Sequence, residues 1–251
     1  MARPHIEFIQ SADVEPETWN LLGFSANTIT QILSRDEQTG ASTELVELPQ
    51  GWKNHGGYFT ADLEIFILKG ELQIGSYQLG CYSYASIPAG VCTGKWRAIQ
   101  DTKMLWMPAA SIQLISASED LPTAKRHLYI PSLNTFSLPW GGTITPGFPP
   151  GAMRKSLRTD PEAAINTWML GVLPQWADFR SRYHPVFEET FVLQGTITGN
   201  RGTMTEGRYF WRPSHIPHGP YHTDTGLLIF VRAGHPFQTY YGWEPVAHYN
   251  S

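Results

Sequence analysis

The stretch that decides the fold covers residues 171–218 and reads GVLPQWADF…EETFVLQGTITG…FWRPSHIPH. An altered copy, VELPQGWKN…LEIFILKGELQIG…YASIPAG, occupies residues 46–90. Gly70 of the first copy recurs as Gly195 of the second, 125 positions later, and other landmarks share this offset. A fixed offset over many landmarks indicates two copies of one structural unit. Features that both copies share are expected to build the fold, and chemistry found in only one copy is expected to belong to a site.

The local pattern predicts strands. Short apolar runs rich in β-branched and aromatic residues are separated by Gly, Pro, Asn and Asp, which is typical of strands and turns. The 23 Gly and 19 Pro leave little room for long helices, and helix-compatible stretches such as TITQILSRDE (28–37) are short. The sequence therefore predicts an all-β fold of sandwich or barrel type, built twice. A polar, Pro-containing segment near 118–126 suggests a first domain over 1–122 and a second over 123–251.

Composition narrows the function classes. The 251 residues carry a net charge of −4 without a basic run, which argues against a nucleic-acid partner. No apolar stretch is long enough for a membrane span, and the start lacks the apolar core of a signal peptide. Cys81 and Cys92 are interpreted as buried small residues rather than a disulfide or metal pair, which fits a reducing cytoplasm.

The candidate chemistry lies in the second half, where six of the nine histidines fall within the last 68 residues. On a continuous strand His184 and Glu188 would be about 13 Å apart, too far to share a metal ion. A helix is disfavoured by the strand-rich surroundings and by Pro185. A tight turn after His184, with Glu188 opening the next strand, would point both side chains into one cavity. His218, which follows Pro217, would reach that cavity from a third strand.

These residues carry a resemblance to a known family. The segment HPVFEETFVLQG (184–195) resembles the first sequence motif of the cupin superfamily, and GRYFWRPSHIPH (207–218) resembles the second. The duplicated arrangement resembles a bicupin, and the second half is similar to the metal-binding cupin domain of zinc anti-sigma factors and to uncharacterised cupin families. The resemblance implies two tandem cupin barrels, each a jelly roll or double-stranded β-helix.

The resemblance also implies that His184, Glu188 and His218 bind a divalent metal ion. The family's first motif has a further His two positions before His184, where this chain has Arg182. Two imidazoles and one carboxylate are the ligand set that holds non-haem Fe(II) with open positions. Zn(II), Mn(II) and Ni(II) are also compatible with these ligands. The alternative is a degenerate cupin that binds no metal.

The first half serves as an internal control. At the offset of 125 residues, Phe59, Leu63 and Thr93 stand where the second half has its three candidate ligands. The first domain is therefore predicted to be a cupin without metal ligands. Glu189 does have a counterpart, Glu64, and on an alternating strand it faces away from its neighbour, so both are predicted to be structural.

Two further residues are weaker candidates for the pocket, and with Glu188 they complete the predicted catalytic set. His222 is either an acid–base group or a core histidine. Arg182 either receives an anionic group of a substrate or forms a salt bridge to Asp178 or Glu189. Neighbouring aromatic side chains could line an apolar pocket.

The function predicted from these features is a metal-dependent bicupin enzyme that acts on a small organic molecule. A non-haem Fe(II) dioxygenase is favoured, with an anionic or aromatic substrate. The first alternative is a redox-neutral hydrolase, isomerase or lyase that uses Zn or Mn. The second is a sensor of small molecules or metals without catalytic activity. A homodimer is a further possibility.

Overall fold

The computed structural model describes residues 3–19, 21, 28–143 and 145–242, and among these no residue lies in an α-helix. Three short 3-10 helices cover Ser11–Asp13, Arg126–Leu128 and Thr135–Ser137. The strands up to residue 138 are β1 (Ile6–Gln10), β2 (Glu17–Thr18), β3 (Ile29–Arg35), β4 (Ser42–Leu48), β5 (Lys53–Asn54), β6 (Gly57–Phe59), β7 (Leu63–Lys69), β8 (Leu72–Ile74), β9 (Tyr77–Leu79), β10 (Ser83–Ile87), β11 (Cys92–Thr93), β12 (Trp96–Ala98), β13 (Thr102–Pro108), β14 (Leu114–Ile115) and β15 (Ile130–Asn134).

The second half continues the same pattern. Its strands are β16 (Gly141–Gly142), β17 (Ala152–Asp160), β18 (Ile165–Val172), β19 (Trp176–Asp178), β20 (Ser181–Tyr183), β21 (Glu188–Gly195), β22 (Ile197–Gly199), β23 (Gly202–Met204), β24 (Arg208–Arg212), β25 (Tyr221–Thr223), β26 (Leu227–Gly234) and β27 (Tyr240–Gly242). The helix-compatible stretch 28–37 forms strand β3, because pairing with β2 and β4 outweighs its local propensity.

The chain folds into two compact units. One comprises Met1–Arg3 and Asp13–Leu138, and the other comprises Pro4–Ala12 and Pro139–Ser251. The first unit contains a seven-stranded sheet of order β15-β10-β7-β13-β4-β3-β2, and the second contains one of order β1-β24-β21-β26-β18-β17-β16. Each unit also has a four-stranded sheet, β5-β12-β8-β9 in the first and β19-β25-β22-β23 in the second.

The duplication holds at the level of single residue pairs. Tyr84 of β10 pairs with Phe66 of β7, and Tyr209 of β24 pairs with Phe191 of β21, 125 positions later on both strands. The tyrosine hydroxyls make the same bond, to Glu64 and Glu189 respectively, at 2.6 Å in each unit. The predicted all-β fold of two tandem barrels is therefore confirmed, and both glutamates have the structural role expected of them.

The edge strands β1 and β15 do not lie in the units that the sequence predicts for them. Strand β1 pairs with β24 of the second unit, with Ile6 opposite Trp211, and β15 pairs with β10 of the first unit, with Ser83 opposite Asn134. The predicted division between residues 122 and 123 assigns each of these strands to the other domain. These two pairings cover the edges of β10 and β24, whose backbone groups would otherwise lack sheet partners on that side.

The first unit is filled by aromatic side chains. Phe59 lies 5.7 Å from Trp96 and 5.6 Å from Trp106 between ring centroids, and Trp19 lies 4.9 Å from Trp106. All four side chains are buried in one cluster to which both sheets contribute. The Thr93 hydroxyl at the same place accepts a hydrogen bond from the Trp96 indole N–H at 2.9 Å. The positions that match the three candidate ligands are therefore filled by buried, packed side chains in this unit.

Two smaller expectations can be compared with the structure. Cys81 and Cys92 are free, but Cys81 is exposed and Cys92 is partly exposed, so the prediction that they are buried is wrong. Each thiol is instead placed within hydrogen-bonding distance of a backbone carbonyl near the surface, Leu68 and Ala117 respectively. Within the described ranges, no helix is long and apolar enough to cross a membrane.

Candidate metal centre

The chain turns sharply between His184 and Glu188. His184 directly follows strand β20, Pro185 and Val186 form a bend, and Glu188 opens strand β21. Proline cannot continue a strand ladder as a donor, so the strand ends at this point. The turn brings Nε2 of His184 to 3.7 Å from Oε2 of Glu188. This is the predicted arrangement, in which both side chains point into one cavity.

His218 reaches the same place from the segment between β24 and β25. Its backbone pairs with that of Arg182 through two reciprocal N–H···O bonds of 2.9 Å. This bridge fixes the position of the His218 backbone relative to strand β20. Nε2 of His218 lies 3.8 Å from Oε2 of Glu188. One donor atom from each of the three side chains lies within 4.8 Å of the other two. The structure thus brings all three candidate ligands together.

Hydrogen bonds orient both imidazoles for metal binding. Nδ1 of His184 lies 2.8 Å from the carbonyl oxygen of Gln238, and Nδ1 of His218 lies 3.0 Å from that of Ile216. A carbonyl oxygen can only accept, so each Nδ1 carries the proton and each Nε2 keeps its lone pair facing Glu188. Burial lowers the pKa of His184 and lowers that of His218 well below its usual value. Both rings are therefore neutral near pH 7, the form that binds metals.

Glu188 has a buried oxygen without a hydrogen-bond partner. Within the described part of the chain, Oε2 receives no hydrogen bond, although its surface is inaccessible. A buried carboxylate oxygen that is left unpaired costs free energy. The nearest groups are the two imidazole Nε2 atoms, neither of which carries a proton to donate, and Nη1 of Arg212 at 3.8 Å. A cation between these three donors would satisfy the oxygen, so the residues present fit a divalent metal.

Arg212 is a residue of the site that sequence reasoning missed. It lies at the end of β24, is 2% exposed, and donates two hydrogen bonds of 2.8 Å to Glu7 of strand β1. Burial opposes its charge, but Tyr221, Glu7 and Glu188 outweigh this and raise its pKa. A signal was present, because the matching position of the first half is the apolar Ile87. The partner Glu7 lies some 200 positions away along the chain and left no local signal.

Arg182 lines the cavity but is already paired. Its Nη1 lies 3.1 Å from Oδ2 of Asp178, and its guanidinium lies 5.1 Å from the ring centroid of Tyr221. Of the two roles predicted for it, the salt bridge to Asp178 is the one that the contacts support. Asp178 also accepts a hydrogen bond of 2.8 Å from Arg180, so this carboxylate is shared between two cations.

His222 does not reach the cavity. It lies in the middle of strand β25, and the cavity is lined by its neighbour Tyr221 instead. Alternation along the strand then places His222 on the other face. Of the two roles predicted for His222, this position does not support an acid–base group in the cavity. Counting four residues on from His218 does not give its orientation, because Gly219 and Pro220 interrupt the extended backbone. Gly219 has a φ of +89°, a conformation outside the strand region.

The cavity behind the three ligands has a volume of about 90 Å³. This is room for several water molecules or a small organic ligand. Trp168, Phe210 and Phe237 contribute apolar walls, and Arg154 and Thr190 contribute polar groups. None of these five was singled out from the sequence, because residues that line a barrel read locally like any alternating strand residues.

Comparisons with known proteins agree with this architecture. A crystal structure from Nostoc punctiforme, described as a "putative dioxygenase", is 32% identical and superposes with a TM-score of 0.86, covering 91% of this chain and 82% of its own. Oxalate decarboxylase from Lactobacillus farciminis is 10% identical with a TM-score of 0.62, covering 93% and 88%. Protein YlbA from E. coli is 14% identical with a TM-score of 0.61, covering 92% of both chains.

The distant matches establish the fold alone, and they confirm the predicted cupin architecture. A search of curated proteins finds no match. A family described as "Domain of unknown function (DUF4437)" matches residues 7–240, a range that includes most of strand β1, nearly all of both barrels and all three candidate ligands. The chain therefore belongs to the DUF4437 family.

Proposed function

We propose that this protein is a metal-dependent cupin enzyme that acts on a small organic molecule, with His184, Glu188 and His218 as the metal ligands. The observation that carries the proposal is the buried Oε2 of Glu188, which lies between two Nε2 atoms and accepts no hydrogen bond from the described residues. Three lone pairs that face one another in a buried site are destabilising without a cation, and the protein maintains this arrangement with backbone hydrogen bonds to both imidazoles.

Fe(II) is the metal favoured by this proposal. Two imidazoles and one carboxylate form the ligand set of non-haem iron oxygenases, and a bound Fe(II) would supply O₂ chemistry through its open positions. The 32% identical relative described as a "putative dioxygenase" supports the same reaction class. Zn(II), Mn(II) and Ni(II) are compatible with the same donors and would support redox-neutral chemistry.

The residues around the ligands prepare the site for an organic substrate. Arg212 places a permanent positive charge 3.8 Å from the Glu188 carboxylate. Trp168, Phe210 and Phe237 give the cavity apolar walls that exclude water and receive the carbon skeleton of a substrate. Phe237 also packs on the His184 ring at 4.3 Å between centroids, which restricts the orientation of that ligand.

In this proposal the molecule is a bicupin with divided roles. The first unit has the buried residues Phe59, Leu63 and Thr93 at the three ligand positions, so it serves as scaffold. The second unit performs the chemistry.

Two measurements test the proposal. Metal analysis of anaerobically purified protein should find one Fe(II) per chain, and the iron-loaded protein should consume O₂ with a member of a panel of diketones, catechols and flavonols. The Glu188→Ala variant should lose this consumption. Zinc in the isolated protein, with no O₂ uptake after iron loading, would instead favour a redox-neutral hydrolase, isomerase or lyase. Reversible ligand binding without turnover would favour a sensor, the role suggested by the resemblance to zinc anti-sigma factors.

A further inference from the structure

Arg154 differs from the other buried arginines of the second unit. Three of them are paired with carboxylates: Arg158 with Asp160 at 2.6 Å, Arg212 with Glu7 at 2.8 Å and Arg232 with Glu189 at 2.9 Å. Arg154 is 7% exposed, and within the described ranges no carboxylate lies at salt-bridge distance from it. The unpaired cation is therefore particular to this position.

The contacts of Arg154 leave part of its guanidinium unsatisfied. Nη2 donates a hydrogen bond of 3.0 Å to Oδ1 of Asn166, and the group lies 4.3 Å from the Trp168 ring centroid. Nε is buried without a partner among the described residues. Burial lowers the pKa of Arg154 to about 10, which still leaves it charged at neutral pH. A buried cation without a counterion is costly, so its retention calls for an explanation.

Arg154 lines the same cavity as the candidate metal centre. A chain of ring contacts connects the two, because Trp168 lies 4.9 Å from Phe237 and Phe237 lies 4.3 Å from His184 between centroids. Arg154 lies on β17 and Glu188 lies on β21. Strands β18 and β26 lie between these two, which corresponds to roughly 14 Å between the backbones of β17 and β21. A small organic molecule in the cavity could therefore contact both places.

The scaffold does not require a cation at this position. Arg154 pairs with Leu170 on β18, and Leu170 pairs with Ile229 on β26. In the first unit the corresponding ladder runs from Thr30 to Val46 and on to Met104. Thr30 is a small polar residue that donates a hydrogen bond to Glu44 at 3.1 Å. The same sheet therefore folds around an uncharged side chain at the equivalent place.

From this geometry we infer that Arg154 binds the anionic group of the substrate, most simply a carboxylate, whose carbon skeleton lies along Trp168 and Phe237 toward His184. This inference rests on the proposed function for the identity of the ligand as a substrate. Arginine is suited to the task because its planar fork pairs with both oxygens of a carboxylate. Arg182, for which the sequence left this role open beside a salt bridge, has its charge balanced by Asp178.

The test measures anion binding on metal-free protein, so that chelation of a metal cannot contribute. Calorimetric titrations compare two carboxylates, acetate and benzoate, with their neutral analogues, acetamide and benzamide. Hydrogen bonds to a charged group predict that at least one carboxylate binds about tenfold more tightly than its amide. Arg154→Met should abolish that difference. Arg154→Lys should weaken it, whereas the matched control Arg158→Lys, on the same strand but paired with Asp160, should leave it unchanged.

Thermal unfolding supplies a second readout. Arg154→Met should not lower the melting temperature of the metal-free protein, because it removes an unpaired buried charge. The carboxylate that binds should raise the melting temperature of the wild type and not that of the variant. Equal affinities for acid and amide in the wild type, or discrimination that survives in Arg154→Met, would overturn the inference. A protein that binds the carboxylate through Arg154 but never consumes O₂ would overturn the proposed reaction and leave this inference standing.

Discussion

The two units of this chain share one set of strand pairings and have opposite interiors. Phe59 occupies the position of His184, Trp96 that of Tyr221 and Trp106 that of Val231, each at the offset of 125 residues. In the first unit these rings fill the space between the sheets. In the second, smaller or polar side chains leave a cavity of about 90 Å³ beside three potential ligands.

This difference separates what builds the fold from what builds the site. Pairs that occur in both units, such as Tyr84 with Glu64 and Tyr209 with Glu189, stabilise the scaffold. Groups that occur in one unit reveal its specialisation. The polar group of the first interior is satisfied, since the Thr93 hydroxyl bonds with Trp96, whereas Oε2 of Glu188 has no such partner in the described chain.

The largest expected effect concerns metal content. His184→Ala, Glu188→Ala and His218→Ala should each remove most of the bound metal, because the remaining two donors hold an ion weakly. Thr93→Ala, at the position that matches His218, should leave the metal content unchanged. Elemental analysis of the purified variants checks this contrast. Full metal occupancy in all three ligand variants would refute the ligand assignment.

The next prediction concerns two substitutions that exchange the residues at one matched position of the two units. Trp106→Val gives the first unit the residue that the second has at this position, and it should destabilise the protein by about 3–5 kcal/mol through lost packing. Val231→Trp should fill the cavity and prevent small-molecule binding. Urea unfolding measures the first change, and calorimetric titration of metal-free Val231→Trp with benzoate measures the second. A stable Trp106→Val variant would show that the aromatic filling is dispensable.

Glu7 offers a smaller, pH-dependent effect. Burial tends to raise the pKa of Glu7, but hydrogen bonds from Arg212 outweigh this and hold its pKa below the usual value. Its contribution to stability is therefore present above the unfolded-state pKa and is lost as the pH falls through the lower, folded-state pKa. Glu7→Gln should lower the free energy of unfolding at pH 7 by about 2 kcal/mol. It should also flatten the acid limb of the stability profile, as measured by chemical unfolding from pH 7 downward.

The smallest effect is expected at Arg182. Because Asp178 already balances its charge, Arg182→Lys should change the affinity for benzoate less than about threefold, while Arg154→Lys weakens it further. Parallel titrations of the two variants rank the arginines. A stronger loss in Arg182→Lys than in Arg154→Lys would return the anion-binding role to Arg182.

Much of this architecture was predictable from the sequence, because duplication repeats its landmarks and strand alternation is local. The turn that joins His184 to Glu188 followed from two exclusions, since a straight strand separates them too far and Pro185 disfavours a helix. The choice between the two roles of His222 could not be made from the sequence, because alternation cannot be counted through Gly219 and Pro220. Arg154 and Arg212 were missed because the role of an arginine on an alternating strand depends on the groups that surround it in the fold. Those groups, or their absence, depend on sheet pairings that link distant parts of the chain.

The pairing of β1 with β24 has a consequence for the order in which the protein folds. Strand β1 is synthesised before its partner β24, which emerges about 200 residues later, a delay of roughly 10–40 s at typical rates of synthesis. Until then Glu7 cannot form its ion pair with Arg212, and strand β1 has no sheet to join. For the same reason, a cut between the two halves of the chain separates the second barrel from its strand β1. The centre beside Glu188 can be completed only after β24 has been synthesised and has paired with β1.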